Sequence, residues 1–135
     1  MGVGLSAAGC AGGNPDVWLQ VASRTQVDQG GEETTVVVRI KNTGEQVLSS
    51  EHNHFLSYHL RNEHGEMLQF DNPRTELPPI EPGETKDISM KVKAPTNAGT
   101  YLIEADIVQE GVTWFAEKGN RTATGKLIVR SSASK

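Results

Sequence analysis

What most constrains this chain is a two-residue alternation of apolar and polar side chains, broken at short and regular intervals by turn residues. "DVWLQVAS" sets Val17, Leu19 and Val21 against Trp18 and Gln20. "TTVVVRIKN" puts Val36, Val38 and Ile40 on one side. "FLSYHLR" sets Leu56, Tyr58 and Leu60 against Phe55, Ser57, His59 and Arg61. "EMLQF" follows after "NEHG". "KDISMKVKA" groups Ile88, Met90 and Val92, and "TYLIEADIVQ" sets Tyr101, Ile103, Ala105 and Ile107 against Leu102, Glu104, Asp106 and Val108. "VTWFA" and "KLIVR" complete the series. A period of two is the pattern of a half-buried strand. No window carries the i, i+3, i+4, i+7 stripe of an amphipathic helix. Gly30-Gly31, Asn42-Thr43-Gly44, Pro82-Gly83, Glu110-Gly111 and Gly119-Asn120 mark turns between the runs. Short strands at this spacing predict an all-β fold, an immunoglobulin-like antiparallel β-sandwich of about seven to nine strands.

The length of 135 residues fits one domain with its own core. The expected boundaries are a lead-in over 1–14, the sandwich over 15–131 and a frayed tail over 132–135. "GLSAAGCAGGN" is open to two readings, a flexible lead-in or the tail of a lipoprotein signal with Cys10 as the lipidated residue. As the single cysteine, Cys10 excludes an internal disulfide. The net charge of −4, with 13 scattered basic residues, lacks the footprint of a nucleic-acid binder. No apolar run approaches the ~18 residues of a membrane span. None of this assigns a cellular location.

All four histidines, His52, His54, His59 and His64, lie in "EHNHFLSYHLRNEHGE". Strand parity separates them. His52 and His54 fall on the side of Leu56 and Tyr58 if the strand begins early enough, His59 on the other side, and His64 in the following loop. A zinc site needs three or four ligands, so no metal and no cofactor are expected. A two-histidine site at His52 and His54, with Glu51, is the weaker alternative.

In "ADIVQEGVTWFA" a two-residue turn at Glu110-Gly111 pairs Gln109 with Val112. Trp114 then faces the core with Ile107, and Phe115 faces outward with Asp106. With "FLSYHLR" alongside, the outer surface collects Ser57, His59, Arg61, Glu104, Asp106, Thr113 and Phe115. Carboxylates, an imidazole and a guanidinium can hydrogen-bond hydroxyls, and a ring can pack on the apolar side of a pyranose. The competing reading is an ordinary solvated sheet face. Tyr101 is placed as a tyrosine-corner residue, and Arg74 as a residue that ties its loop to a carboxylate, with reach to the ligand as its alternative role. Asn120 begins the sequon "NRT". Catalysis lacks a recognisable motif: Glu104 and Asp106 share a side, but an open sheet face would not bury an acid and tune it. The chain is read as non-enzymatic.

The ordered motifs "KNTGE", "LSYHLRNEHGE", "FDNPRTELPPIEPGE" and "VKAPTNAGTYLIEADIVQEGVTWFAEKG" resemble, over about residues 33–130, a bacterial immunoglobulin-like module. That module forms the C-terminal domain of the ATP-binding subunit of some O-antigen polysaccharide exporters, and related copies accompany glycosyltransferases and other surface-glycan proteins. The resemblance implies recognition of a bacterial surface polysaccharide without catalysis. The alternative is an assembly protein of a surface, filament or virion, whose partners are other protein chains, including copies of itself.

Overall fold

The computed structural model describes residues 16–130. The expectations for residues 1–14, Cys10 included, and for 132–135 lie outside them. Ten strands are present among the described residues: β1 (Val17–Val21), β2 (Arg24–Val27), β3 (Glu33–Asn42), β4 (His54–Asn62), β5 (Met67–Gln69), β6 (Thr75–Glu76), β7 (Thr85–Lys93), β8 (Gly99–Gln109), β9 (Thr113–Trp114) and β10 (Ala123–Val129). Short 3-10 turns occupy Ser50–His52 and Phe115–Lys118.

The strands form two sheets, one ordered β1-β3-β7 and a larger one ordered β2-β10-β8-β4-β5. In the larger sheet β9 prolongs the pairing of β8, and β6 pairs with β4 beyond β5. β1 and β2 are nearly continuous in sequence but join opposite sheets. β2 runs parallel to β10, and all other pairings are antiparallel.

The alternation read from the sequence becomes the core. Val36, Val38 and Ile40 face Leu56, Tyr58, Ile103 and Ile107 across the gap, and all are buried. Each such aliphatic side chain contributes about 1.5–3 kcal/mol when fully removed from water. Two polar pins hold the loops. Asn42 of "KNTGE" is buried, and its Nδ2 donates to the carbonyls of Gln46 and Ile80 at 2.7 and 2.8 Å. The Tyr101 hydroxyl donates to the Asn97 carbonyl at 2.7 Å, the tyrosine-corner contact. The sequon residue is a third pin. Asn120 is buried, donates to the Phe115 carbonyl at 3.1 Å and accepts from the Val17 amide at 3.1 Å. Its amide nitrogen is therefore engaged in the fold.

Candidate functional site

The β8–β9 hairpin decides what the outer face of the larger sheet carries. Its loop is Glu110-Gly111-Val112, with Gly111 at φ 78° and the Val112 amide bonded to the Gln109 carbonyl at 2.9 Å. A three-residue loop with glycine in the left-handed region is a common hairpin connection. Thr113 therefore pairs with Gln109, and Trp114 with Val108. The register differs by one residue from the expected two-residue turn, and a one-residue slip exchanges the faces. Trp114 lies on the outer side and Phe115 is buried in the core, 2% exposed, on the 3-10 turn that ends β9. The expected placement of both aromatics is corrected.

Ser57, His59, Arg61, Glu104 and Asp106 sit on the outer side as parity requires, whereas Thr113, opposite Gln109, is turned to the inner side by the same slip, which corrects its expected place. Ser57 lies opposite Asp106 and His59 opposite Glu104, with Arg61 one alternation further along β4. Ser57, His59 and Asp106 are nevertheless buried. After β5 the chain crosses back over this face, and Phe70 to Arg74 cover it. Asn72 Nδ2 donates to the Tyr58 carbonyl at 2.9 Å, in the gap of the β4 edge between β5 and β6. Ser57 Oγ donates to the Pro73 carbonyl at 2.9 Å.

Beneath that segment His59 is held at both ring nitrogens. Nδ1 lies 2.8 Å from the Phe70 carbonyl oxygen and Nε2 lies 3.0 Å from Asp106 Oδ2. A carbonyl can only accept, so Nδ1 carries a proton. Asp106 Oδ1 accepts from the amides of Ile107 and Ala116 at 2.8 and 3.2 Å. A carboxylate so supplied with donors leaves Nε2 to donate as well, giving an imidazolium–carboxylate pair. Burial pushes the His59 pKa down. The hydrogen bonds to Asp106 and the Phe70 carbonyl, with the charges of Asp106 and Glu104, outweigh this and leave it above the ordinary histidine value.

The rings close the pair off. Phe70 stacks on His59 with centroids 4.2 Å apart, and Trp114 lies 4.5 Å from His59 and 5.2 Å from Phe70. Arg74 lies over the Trp114 ring at 5.0 Å and is paired with Glu110 and Asp71. That is the loop-tying role expected of it. Phe70 is 42% exposed. Beside this shelf, Arg61 donates to Glu104 at 2.8 Å and Thr122 to the other Glu104 oxygen at 2.7 Å. Burial would raise the Glu104 pKa, but the Thr122 and Arg61 hydrogen bonds and the Arg61 and His59 charges bring it below the ordinary value. Thr113 Oγ1 donates to Glu117 Oε1 at 3.2 Å, away from this face.

The remaining histidines separate. His52 lies in an exposed 3-10 turn, and β4 begins only at His54. His54 is buried edge-on against Phe115, with Nδ1 accepting from the Ser49 amide at 3.3 Å. Burial first, then the charges of His52 and Lys118, push its pKa down. Among the described residues no group of three His, Cys, Asp or Glu is placed to hold a metal ion.

No family model and no curated protein matches this chain. Among solved structures it is similar to the CARDB domain of a Pyrococcus furiosus protein, at 18% identity and a TM-score of 0.48, over 85% of this chain and 94% of that one. It is also similar to PapD-like domain 7 of human CEP192, at 14% identity and a TM-score of 0.44, over 90% and 88% of the two chains. A part of the Pseudomonas fluorescens alkylpurine DNA glycosylase AlkC matches at 10% identity and a TM-score of 0.50, over 85% of this chain and 30% of that one. At such identities the likeness is one of fold. The molecule is an immunoglobulin-like β-sandwich.

Proposed function

We propose that this sandwich is a non-catalytic carbohydrate-binding module, directed at a bacterial surface polysaccharide, as the resemblance of its motifs implies. The observation that carries the reading is the shelf of Phe70 and Trp114 on the outer face of the larger sheet, flanked by Arg74, Asp71 and Glu110 and, further along, by Arg61 and Glu104. An exposed ring beside fixed guanidinium and carboxylate groups offers a pyranose both an apolar platform and hydrogen-bond partners for its hydroxyls. Ser57, His59 and Asp106 support the shelf from beneath, and Phe115 belongs to the core. Contact with the ligand passes to Phe70, Trp114, Arg74, Arg61 and Glu104.

A glycan array of bacterial surface polysaccharides tests this, followed by titration of any hit against Phe70→Ala and Arg74→Ala. Binding that falls about two- to tenfold in Phe70→Ala, with the melting curve kept, supports the shelf, since one aromatic contact is worth roughly 0.5–1.5 kcal/mol. Absence of binding to every polysaccharide on the array sinks the reading.

One observation favours assembly as a second reading. β5 is an edge strand of the larger sheet, and its Met67 and Leu68 are 40% and 52% exposed beside Phe70. Exposed apolar edges invite pairing with another chain. Concentration-dependent self-association, abolished by Leu68→Lys and unaffected by sugars, would favour this reading.

A further inference from the structure

The smaller sheet has an outer face of its own that no part of the described chain crosses. Its register fixes the rows. Trp18 lies beside Lys41 and Lys41 beside Thr85; Gln20 beside Arg39 and Arg39 beside Asp87; Val37 beside Ser89; Thr35 beside Lys91; Glu33 beside Lys93. Every one of these side chains is exposed, with Trp18 at 48% and Val37 at 50%. At about 3.4 Å per residue, the run from Glu33 to Lys41 spans roughly 27 Å. The face is a long open strip, with an uncovered indole at one end.

Its charge runs against that of the chain. The whole sequence has 13 Lys and Arg against 17 Asp and Glu. This strip has Arg39, Lys41, Lys91 and Lys93 against Glu33 and Asp87. Arg39 is neutralised by Asp87 at 2.9 Å. The three lysine ammonium groups make no ion pair among the described residues, and they lie at both ends of the strip. Folding has sorted an excess of positive charge onto one face of an acidic protein. Such a field raises the local concentration of an anionic polymer.

We infer that this face is a docking surface for a linear acidic polysaccharide. Its carboxylates would meet Lys41, Lys91 and Lys93, and one sugar ring would lie on Trp18. The strip is too long and too shallow for a monosaccharide, which a concave pocket would suit better. A chain that lies along the strand direction can reach Trp18 and all three lysines together. Trp18 distinguishes this from plain charge attraction, because a hydrated polyanion without an apolar face gains nothing from an indole. The surface is separate from the Phe70 shelf, which lies on the opposite sheet.

The test is affinity electrophoresis and calorimetry of the full chain with polygalacturonate, with dextran as the neutral control. Polygalacturonate retention that weakens with salt is expected, since exposed charges are screened beyond about 10 Å at 0.1 M. Trp18→Ala should weaken it about tenfold, the size of one good aromatic contact. The triple reversal Lys41→Glu, Lys91→Glu, Lys93→Glu should abolish it, and Phe70→Ala should leave it unchanged. All four positions mutated on the strip are exposed, so unaltered melting curves are expected and serve as the folding check. No retention by the wild type overturns the inference. So does retention indifferent to Trp18→Ala, or lost equally in Phe70→Ala. Equal retention of single-stranded DNA that does not depend on Trp18 also overturns it, since that is bare charge attraction. Failure here leaves polysaccharide binding by the shelf standing, and the converse holds.

Discussion

The outer faces of the two sheets are built by the same alternation and end in opposite states. On the larger sheet Ser57, His59 and Asp106 point away from the core and are buried all the same, because Phe70 to Arg74 fold back over them. On the smaller sheet Trp18, Val37, Arg39 and Lys41 point away from the core and stay in water. Strand parity fixes which side a residue takes. Whether that side is wet depends on a loop that carries no periodic signal. The covered face can contribute strongly to stability through its polar groups, whereas the bare face has little stability to lose and is free to bind.

The largest break in this contrast is expected at Asp106. Asp106→Ala removes the acceptor of His59 Nε2 and of two backbone amides in one step. Each buried donor left without its acceptor costs about 1–3 kcal/mol, and His59 loses the partner that favours its charged form. Chemical denaturation should show this as a lower midpoint with an unchanged slope. Trp114→Ala comes next. It uncovers the pair and removes the surface on which Phe70 and Arg74 rest, for a loss of about 2 kcal/mol, below the fully buried aromatic range because the ring is only partly buried. Melting that matches the wild type in either variant would mean that the covered face is not a stabilising network.

The limits of the sequence follow from the same contrast. The core positions of β3, β4, β7 and β8 were legible because period two and burial coincide there. Tyr101 and Arg74 were legible because turn chemistry and nearby carboxylates constrain them. β2, β6 and the two 3-10 turns were not, since Arg24–Val27 and Thr75–Glu76 are too short to show a period. The positions of Trp114 and Phe115 turned on a single residue of loop length, for which "QEGVT" offers both a two-residue and a three-residue solution. The lid was hidden for a different reason. "FDNPR" reads as a loop, and only the three-dimensional path shows that its carbonyls meet Ser57 and His59.

A smaller effect separates two histidines by pH. The His59 pKa is raised in the fold, so its stabilisation is fully present below the unfolded value of about 6.5 and is lost as pH rises through the folded value. The His54 pKa is lowered, so the fold favours its neutral form, and its effect runs the other way: stability falls as pH drops below about 6.5. The wild type should therefore lose stability on both sides of this region. His59→Gln should flatten the alkaline limb and His54→Gln the acid limb. An alkaline limb that persists in His59→Gln would place its origin elsewhere.

The smallest effect belongs to the bare face. Arg39 and Asp87 form a well-aligned fork, Nε to Oδ1 at 2.9 Å and Nη2 to Oδ2 at 3.2 Å. The pairing raises the Arg39 pKa and lowers that of Asp87, with the hydrogen bond between them as the main cause. Geometry alone would rank this pair with His59 and Asp106. Solvent decides otherwise. Both side chains are about half exposed, water competes for each hydrogen bond, and the long arginine side chain loses freedom in holding one arrangement. A double-mutant cycle of Arg39→Ala and Asp87→Ala should give no measurable coupling in the melting temperature. A pronounced coupling would show that the outer face of the smaller sheet is shielded from water, and so remove the exposure on which its reading as a docking surface depends.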